Sequence, residues 1–115
     1  MTLSKWKRRR TSREIERTRF DNRVRTVISS DDKSLLGREV LVERDFYLNK
    51  NQVSKWRYFI PLPKKHPVKK KTPYVSYTMR CGIESKELAM MLADIEAADM
   101  GYLVTNAFEL LNDIE

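Results

Sequence analysis

All four prolines of this chain fall within thirteen residues, 61–73, and five lysines are interleaved with them: PLPKKHPVKKKTP. Proline lacks the N–H that a helix interior or a central strand requires, and lysines at this density repel one another. No helix or inner strand can run through this stretch, so it reads as an exposed loop that divides the chain. On its N-terminal side, residues 39–48 (EVLVERDFYL) and 54–62 (SKWRYFIPL) read as strands separated by the polar turn Asn49-Lys50-Asn51-Gln52. In the second strand Trp56, Tyr58 and Ile60 alternate with Arg57 and Phe59. On the C-terminal side, residues 74–81 (YVSYTMRC) read as a third strand with Val75, Tyr77, Met79 and Cys81 on one face. The simplest arrangement is a three-stranded antiparallel meander with a long basic hairpin loop.

From Ser85 the period becomes helical. Leu88, Met91, Leu92 and Ile95 recur at i, i+3, i+4 and i+7, which predicts a helix packing that face on the sheet, with a stop at Met100-Gly101. Val104, Phe108, Leu111 and Ile114 suggest a second helix, with a short strand at Tyr102-Leu103-Val104 as the alternative. At the other end, Thr11-Ser12-Arg13-Glu14 fits a capping box, and Phe20, Val24, Val27 and Ile28 share one face of the helix that would follow. Arg9, Arg13 and Arg17 continue that stripe, so the helix is expected to dock its second half and project its first. Ser29-Ser30-Asp31-Asp32 ends it and caps a short turn through Leu36, closed by Gly37. The expected fold class is α+β: a disordered basic N-terminal arm and helix, a three-stranded antiparallel sheet with a long basic hairpin loop, and one or two C-terminal helices packed on the sheet. Residues 1–12 form the flexible arm and 13–115 a single compact domain.

Charge is sorted along the chain. Residues 1–83 hold 22 Lys/Arg against 8 Asp/Glu, whereas residues 84–115 hold one Lys, Lys86, against 8 acids; the difference, +14 − 7, is the net +7. The basic part calls for a polyanion, most plausibly nucleic acid. The acidic part either closes the core or meets a basic partner. No apolar run approaches the ~20 residues of a membrane span, and the basic N-terminus lacks the apolar region of a secretory signal. A single cysteine, Cys81, rules out an internal disulfide and fits a reducing compartment, hence a cytoplasmic expectation. One His and one Cys do not furnish an ordinary four-ligand zinc site, and no cofactor is expected.

Ten Lys/Arg lie between Lys5 and Arg25, eight of them Arg, against Glu14, Glu16 and Asp21. Arginine in that proportion favours phosphate recognition over plain solvation. The expected contacts are Lys5, Lys7, Arg8, Arg9, Arg10, Arg13 and Arg17 from the arm and helix, and Lys64, Lys65, Lys69, Lys70 and Lys71 from the loop. Arg57 and Arg80 on the exposed sheet face would add specificity. Trp6, inside the basic cluster, either stacks on a base or anchors the arm. The aromatics Trp56, Tyr58, Phe59, Tyr74 and Tyr77 are better read as core than as a base-stacking platform. Cys81 and His66 lack the third group that a catalytic thiol–imidazole pair needs, and Glu43 with Asp45 is a carboxylate pair with no accompanying nuclease motif.

The meander, basic hairpin and packing helix over Val40–Met100 are similar in outline to AP2-type and integrase arm-binding modules, which implies a sheet lying in the DNA major groove. An Arg-rich tail on a small α+β body also looks like small phage or mobile-element regulators and inhibitors. The reading is therefore a nonenzymatic nucleic-acid-binding protein, DNA or RNA, clamping phosphates with its arm and loop. The alternative is an inhibitor or adaptor that binds a protein or nucleoprotein partner such as a nucleic-acid enzyme.

Overall fold

The structure, a computed structural model, describes residues 1–9, 22–44, 55–63 and 75–104. It is mostly sheet. Among the described residues the strands are β1 (Thr2–Leu3), β2 (Lys7–Arg9), β3 (Asn22–Ser29), β4 (Glu39–Arg44), β5 (Trp56–Pro61), β6 (Tyr77–Ile83) and β7 (Leu103–Val104), with one α-helix, α1 (Lys86–Asp99). The sheet runs β6-β5-β4-β3-β1-β7, and β2 pairs beside β1 along the same strand, β3. Among the described residues every pairing is antiparallel except β1 with β7, and the mixed sheet curls strongly into a half-barrel around the helix.

This corrects the expected three-stranded fold. The meander β4-β5-β6 is present, but it continues through β3 into the N-terminal strands instead of standing alone. Residues 22–29, expected as the docked half of a helix, are the central strand β3. The reason lies in Val24, Thr26, Val27 and Ile28, β-branched side chains that are stiff in a helix and fit a pleated surface. The helical spacing of the apolar residues lost to that local density. The expected disordered arm is likewise corrected where it is described. Thr2–Leu3 and Lys7–Arg9 both pair with β3, with Thr2 opposite Ser29 and Lys7 opposite Val24. The expected helical start at Thr11–Phe20 and the expected second helix through Phe108 and Ile114 lie outside the described residues. At Leu103–Val104 the chain takes the strand alternative. The outline shared with AP2-type and integrase arm-binding modules fails for the same reason: here the sheet extends well past three strands and wraps its helix.

The turn between β3 and β4 follows its sequence. The Asp32 side chain accepts from Ser34 N at 3.0 Å and caps a short 3-10 turn, Lys33–Leu35. Gly37 then takes φ 80°, the left-handed region in which a side chain is strained, and donates to Val27 O at 3.0 Å. Strand alternation sets the two faces. Val40 and Val42 of β4 and Trp56, Tyr58 and Ile60 of β5 point to the concave side and are buried there with Leu3, Trp6, Val27 and Ile83. Burial of each such side chain stabilises the fold by about 1.5–3 kcal/mol.

Helix α1 starts as expected. The Ser85 side chain accepts from Leu88 N at 3.1 Å, and the helix stops at Met100 before Gly101 at φ 97°. Its orientation is the opposite of the expected one. Ala89, Met90, Ala93, Asp94 and Ala97 face the sheet, while Leu88, Met91 and Ile95 are exposed and Leu92 is half-buried. The concave face already carries tryptophan, tyrosine and isoleucine, so the helix seats in it mainly with the small Ala89, Ala93 and Ala97, beside Met90 and Asp94. After the helix, Tyr102 donates its hydroxyl to Pro61 O at 2.5 Å, and Leu103 N donates to Met1 O at 2.6 Å, which ties β7 to the first strand.

Candidate nucleic-acid interface

The described N-terminal cations sit on a paired strand rather than a loose arm. Ser4, in the link between β1 and β2, is held twice: Ser4 N donates to Thr26 O and Thr26 N donates to Ser4 Oγ, both at 2.8 Å. Trp6 turns into the concave side, and its indole ring centroid lies 4.8 Å from the Arg25 guanidinium. Its Nε1–H donates to Asp94 Oδ2 on α1 at 3.3 Å. Of the two roles open to Trp6, the structure shows the anchor. Lys5, Lys7 and Arg8 on either side of it are exposed, and Arg9 closes β2. No acid occurs in residues 1–9. The outer edge of β1 is covered by β7, whereas β2 has no second strand partner among the described residues.

Arg25, invisible as a structural residue in the sequence, is the hub beneath this edge. It is fully buried, its Nη2 donates to Asp94 Oδ2 at 3.0 Å, and its Nη1 donates to Ser4 O at 2.9 Å. Its Nε lies 2.9 Å from Asp94 Oδ1, close as an ion pair but not aligned as a hydrogen bond. Burial pushes the Asp94 carboxyl above its ordinary range, against the opposing pull of Arg25 and Trp6. Arg23 is also buried on the concave side, and Arg44 places its guanidinium 5.5 Å from the Trp56 ring centroid. The one sequence signal bearing on this hub was Trp6, an aromatic inside a basic run.

The two expected specificity residues lie apart. Arg57 is buried on the convex face, where its Nε and Nη2 both donate to Glu43 Oε1, at 2.9 and 2.6 Å, and its guanidinium covers the Phe59 ring at 5.3 Å. Glu43 is thus held by an arginine across the β4–β5 pair. Its sequence neighbour in the carboxylate pair, Asp45, lies outside the described residues. Arg80 is exposed on β6, on the concave side opposite Tyr58. Tyr58 donates its hydroxyl to Glu96, and burial first, then Glu96, raises its pKa to about 12. Cys81, expected at the end of a core strand, is exposed. Trp56 and Tyr58 are core residues, as the aromatic pattern implied, whereas Tyr77 is exposed. Among the described residues no His, Cys, Asp or Glu side chains group as a set of three metal ligands.

Arg10, Arg13, Arg17, Lys64, Lys65, Lys69, Lys70 and Lys71, together with His66 and Tyr74, lie outside the described residues. The strands that lead into these stretches are described, however. The β2–β3 connection leaves where Arg9 pairs with Asn22, and the β5–β6 connection leaves where Pro61 pairs with Tyr77. Through the register of β4, which sets Arg23 against Val42 and Thr26 against Glu39, these are opposite ends of the strands. The two basic stretches are therefore anchored at opposite ends of the sheet, on different pairs of strands.

Comparison of the chain with known protein families, with characterised proteins and with solved structures finds no match. No helix among the described residues is long and apolar enough to cross a membrane.

Proposed function

We propose that this protein binds the phosphate backbone of nucleic acid along the Lys5–Arg8 segment at its β2 edge and carries out no chemistry on it. The observation that carries this reading is the exposure of Lys7 and Arg8 on β2 and of Lys5 in the link before it, a segment pinned by Trp6. From Lys5 to Arg8 the chain spans about 10 Å at roughly 3.3 Å per strand residue, or about three nucleotides of a strand at ~3.4 Å each. Cations held by sheet pairing, Lys7 on the face of Val24 and Arg8 on that of Arg23, need less ordering on binding than the free arm expected from composition. The same stretch runs on into Arg10, Arg13 and Arg17, which extend the charge in sequence. A cytoplasmic setting belongs to the same proposal, because the lone Cys81 is exposed and free, a state that suits a reducing compartment.

The test is a salt titration of binding to a duplex DNA and to a single-stranded RNA, for the full chain and for the Lys5→Ser, Lys7→Ser, Arg8→Ser triple variant. Affinity of the parent should fall steeply with salt, and the variant's slope of log affinity against log salt should be shallower by about 0.7–0.9 per lost contact. The variant's melting temperature should match the parent's. A parent that binds neither ligand, or a variant with an unchanged slope, overturns the proposal.

A further inference from the structure

Strand β6 is an outer strand of the sheet, and its far edge has no partner among the described residues. At seven residues it is much longer than the other outer strands, β7 with two and β2 with three. The direction of its backbone groups follows from the ladder. Leu62 N donates to Ser76 O at 2.7 Å, and the register sets Ile60 opposite Thr78 and Tyr58 opposite Arg80. Ser76, Thr78 and Arg80 therefore turn N–H and C=O toward β5, and alternation turns those of Tyr77 and Met79 away from the sheet. Natural edges are blunted by lysine, proline, a bulge or shortness. Tyr77–Arg80 contains no Lys or Pro. The irregularity in the β5–β6 ladder lies beyond it, opposite Arg57, where Gly82 takes φ 73°. The side chains are open as well: Tyr77 is 41% and Met79 55% exposed.

A strand added to this edge must match its backbone groups and both rows of side chains. A second copy of β6, run antiparallel about a twofold axis at Thr78, does so. Tyr77 then meets Met79 of the second copy, and Met79 meets its Tyr77, each pair exchanging both N–H···O bonds. On the convex side, where Met79 stands opposite Phe59, each tyrosine ring covers a thioether, a favourable sulfur–aromatic contact. On the concave side Thr78 faces Thr78, and Arg80, the one charge of the stretch, faces Ser76. Other twofold registers fail on particular residues. An axis at Arg80 sets like charges directly opposite. An axis at Met79 pairs Tyr77 with Cys81, at the irregularity. An axis at Tyr77 needs Val75, which packs against the core. We propose that the chain forms a twofold dimer by antiparallel pairing of β6 with β6 of a second copy, so that the sheet continues across the axis. Helix α1 lies chiefly over β4 and β5 and leaves this edge open. The edge is across the sheet from the Lys5–Arg8 segment, and the dimer does not depend on the nucleic-acid reading.

The test is sedimentation equilibrium of the full chain after nuclease treatment, so that no nucleic acid bridges two copies. Moderate salt screens the +7 that each copy carries. The parent should show a concentration-dependent monomer–dimer equilibrium. Met79→Pro removes an N–H that bonds nothing among the described residues, and proline is tolerated on an edge strand. This variant should keep the parent's circular dichroism and weaken association by about tenfold or more. Oxidation in a Cys81→Ser background reads the register separately. Thr78→Cys sets two thiols face to face across the axis and should give a covalent dimer, whereas Arg80→Cys, out of register with its copy, should stay unlinked. A parent that is monomeric at every concentration overturns the proposal, as does unchanged association in a folded Met79→Pro. Should Met79→Pro not fold, the cysteines decide: a Thr78→Cys variant that stays unlinked, or links no better than Arg80→Cys, overturns it equally.

Discussion

Arg25 and Asp94, a central-strand arginine and a helical aspartate 69 residues apart in sequence, meet inside the half-barrel with Nη2–Oδ2 at 3.0 Å and Nε–Oδ1 at 2.9 Å. The pair joins the sheet to the only described helix, and the Trp6 indole closes over it from the N-terminal strand. Removing one partner strands the other as a buried charge. Asp94→Asn or Arg25→Met should therefore destabilise the fold by about 3–5 kcal/mol. The double replacement Arg25→Met, Asp94→Leu should cost clearly less than the sum of the single changes. Urea denaturation of the four proteins measures the coupling, and strict additivity would show that the two side chains do not act together.

Trp6 makes the N-terminal strand part of the fold. Trp6→Ala should cost about 3–5 kcal/mol, the range for truncating a buried aromatic. The triple change at Lys5, Lys7 and Arg8 should be nearly neutral to stability, because those side chains are exposed. Thermal melts of the two variants separate the anchor from the cations. A silent Trp6→Ala would return residues 1–9 to the status of a detachable arm.

The orientation of α1 has its own signature. Ala93 is fully buried against the sheet, so Ala93→Leu should overpack that contact and cost about 1–3 kcal/mol. Ile95→Ser on the opposite face should move stability by no more than about 0.5 kcal/mol. If the large apolar residues faced the core, the order would invert and Ile95→Ser would be the damaging change.

Tyr58 links β5 to α1 through its hydrogen bond to Glu96, and its pKa stands at about 12 against an ordinary 10.0. A group that holds its proton more tightly when folded contributes stability that is complete below its unfolded pKa and is lost as pH rises through the folded one. Denaturation midpoints should therefore fall between pH 10 and about 12. The fall should be shallower in Tyr58→Phe, which has no phenolic proton to lose. Equal alkaline slopes for the two proteins would disconnect this tyrosine from the transition.

Much of the local structure was legible in the sequence because it depends on neighbours a few residues away. The alternation of Trp56, Tyr58 and Ile60 placed β5 and its buried face. Asp32 and Gly37 marked the turn into β4, and Ser85 and Gly101 bracketed α1. The misreadings came from residues whose role depends on distant ones. Val24, Val27 and Ile28 satisfy a helical period and a strand equally, and only pairing with Leu41 and Val40 on one side and the N-terminal strands on the other decides for β3. Leu88, Met91 and Ile95 have the better apolar stripe, yet the alanines fit the occupied concave face.

The sequence by itself determined where β5, the turn into β4 and α1 lie, and that the chain is strongly basic before residue 84 and acidic after it. Both follow from covalent facts: proline and glycine backbone limits, capping side chains and fixed formal charge. Tertiary structure alone decided that Arg25 is a buried hub while Lys5, Lys7 and Arg8 are surface cations, although all four belong to one basic run. A guanidinium enters a protein interior only where carboxylate and carbonyl acceptors converge on it, and Asp94 and Ser4 reach Arg25 only once the sheet has curled around the helix.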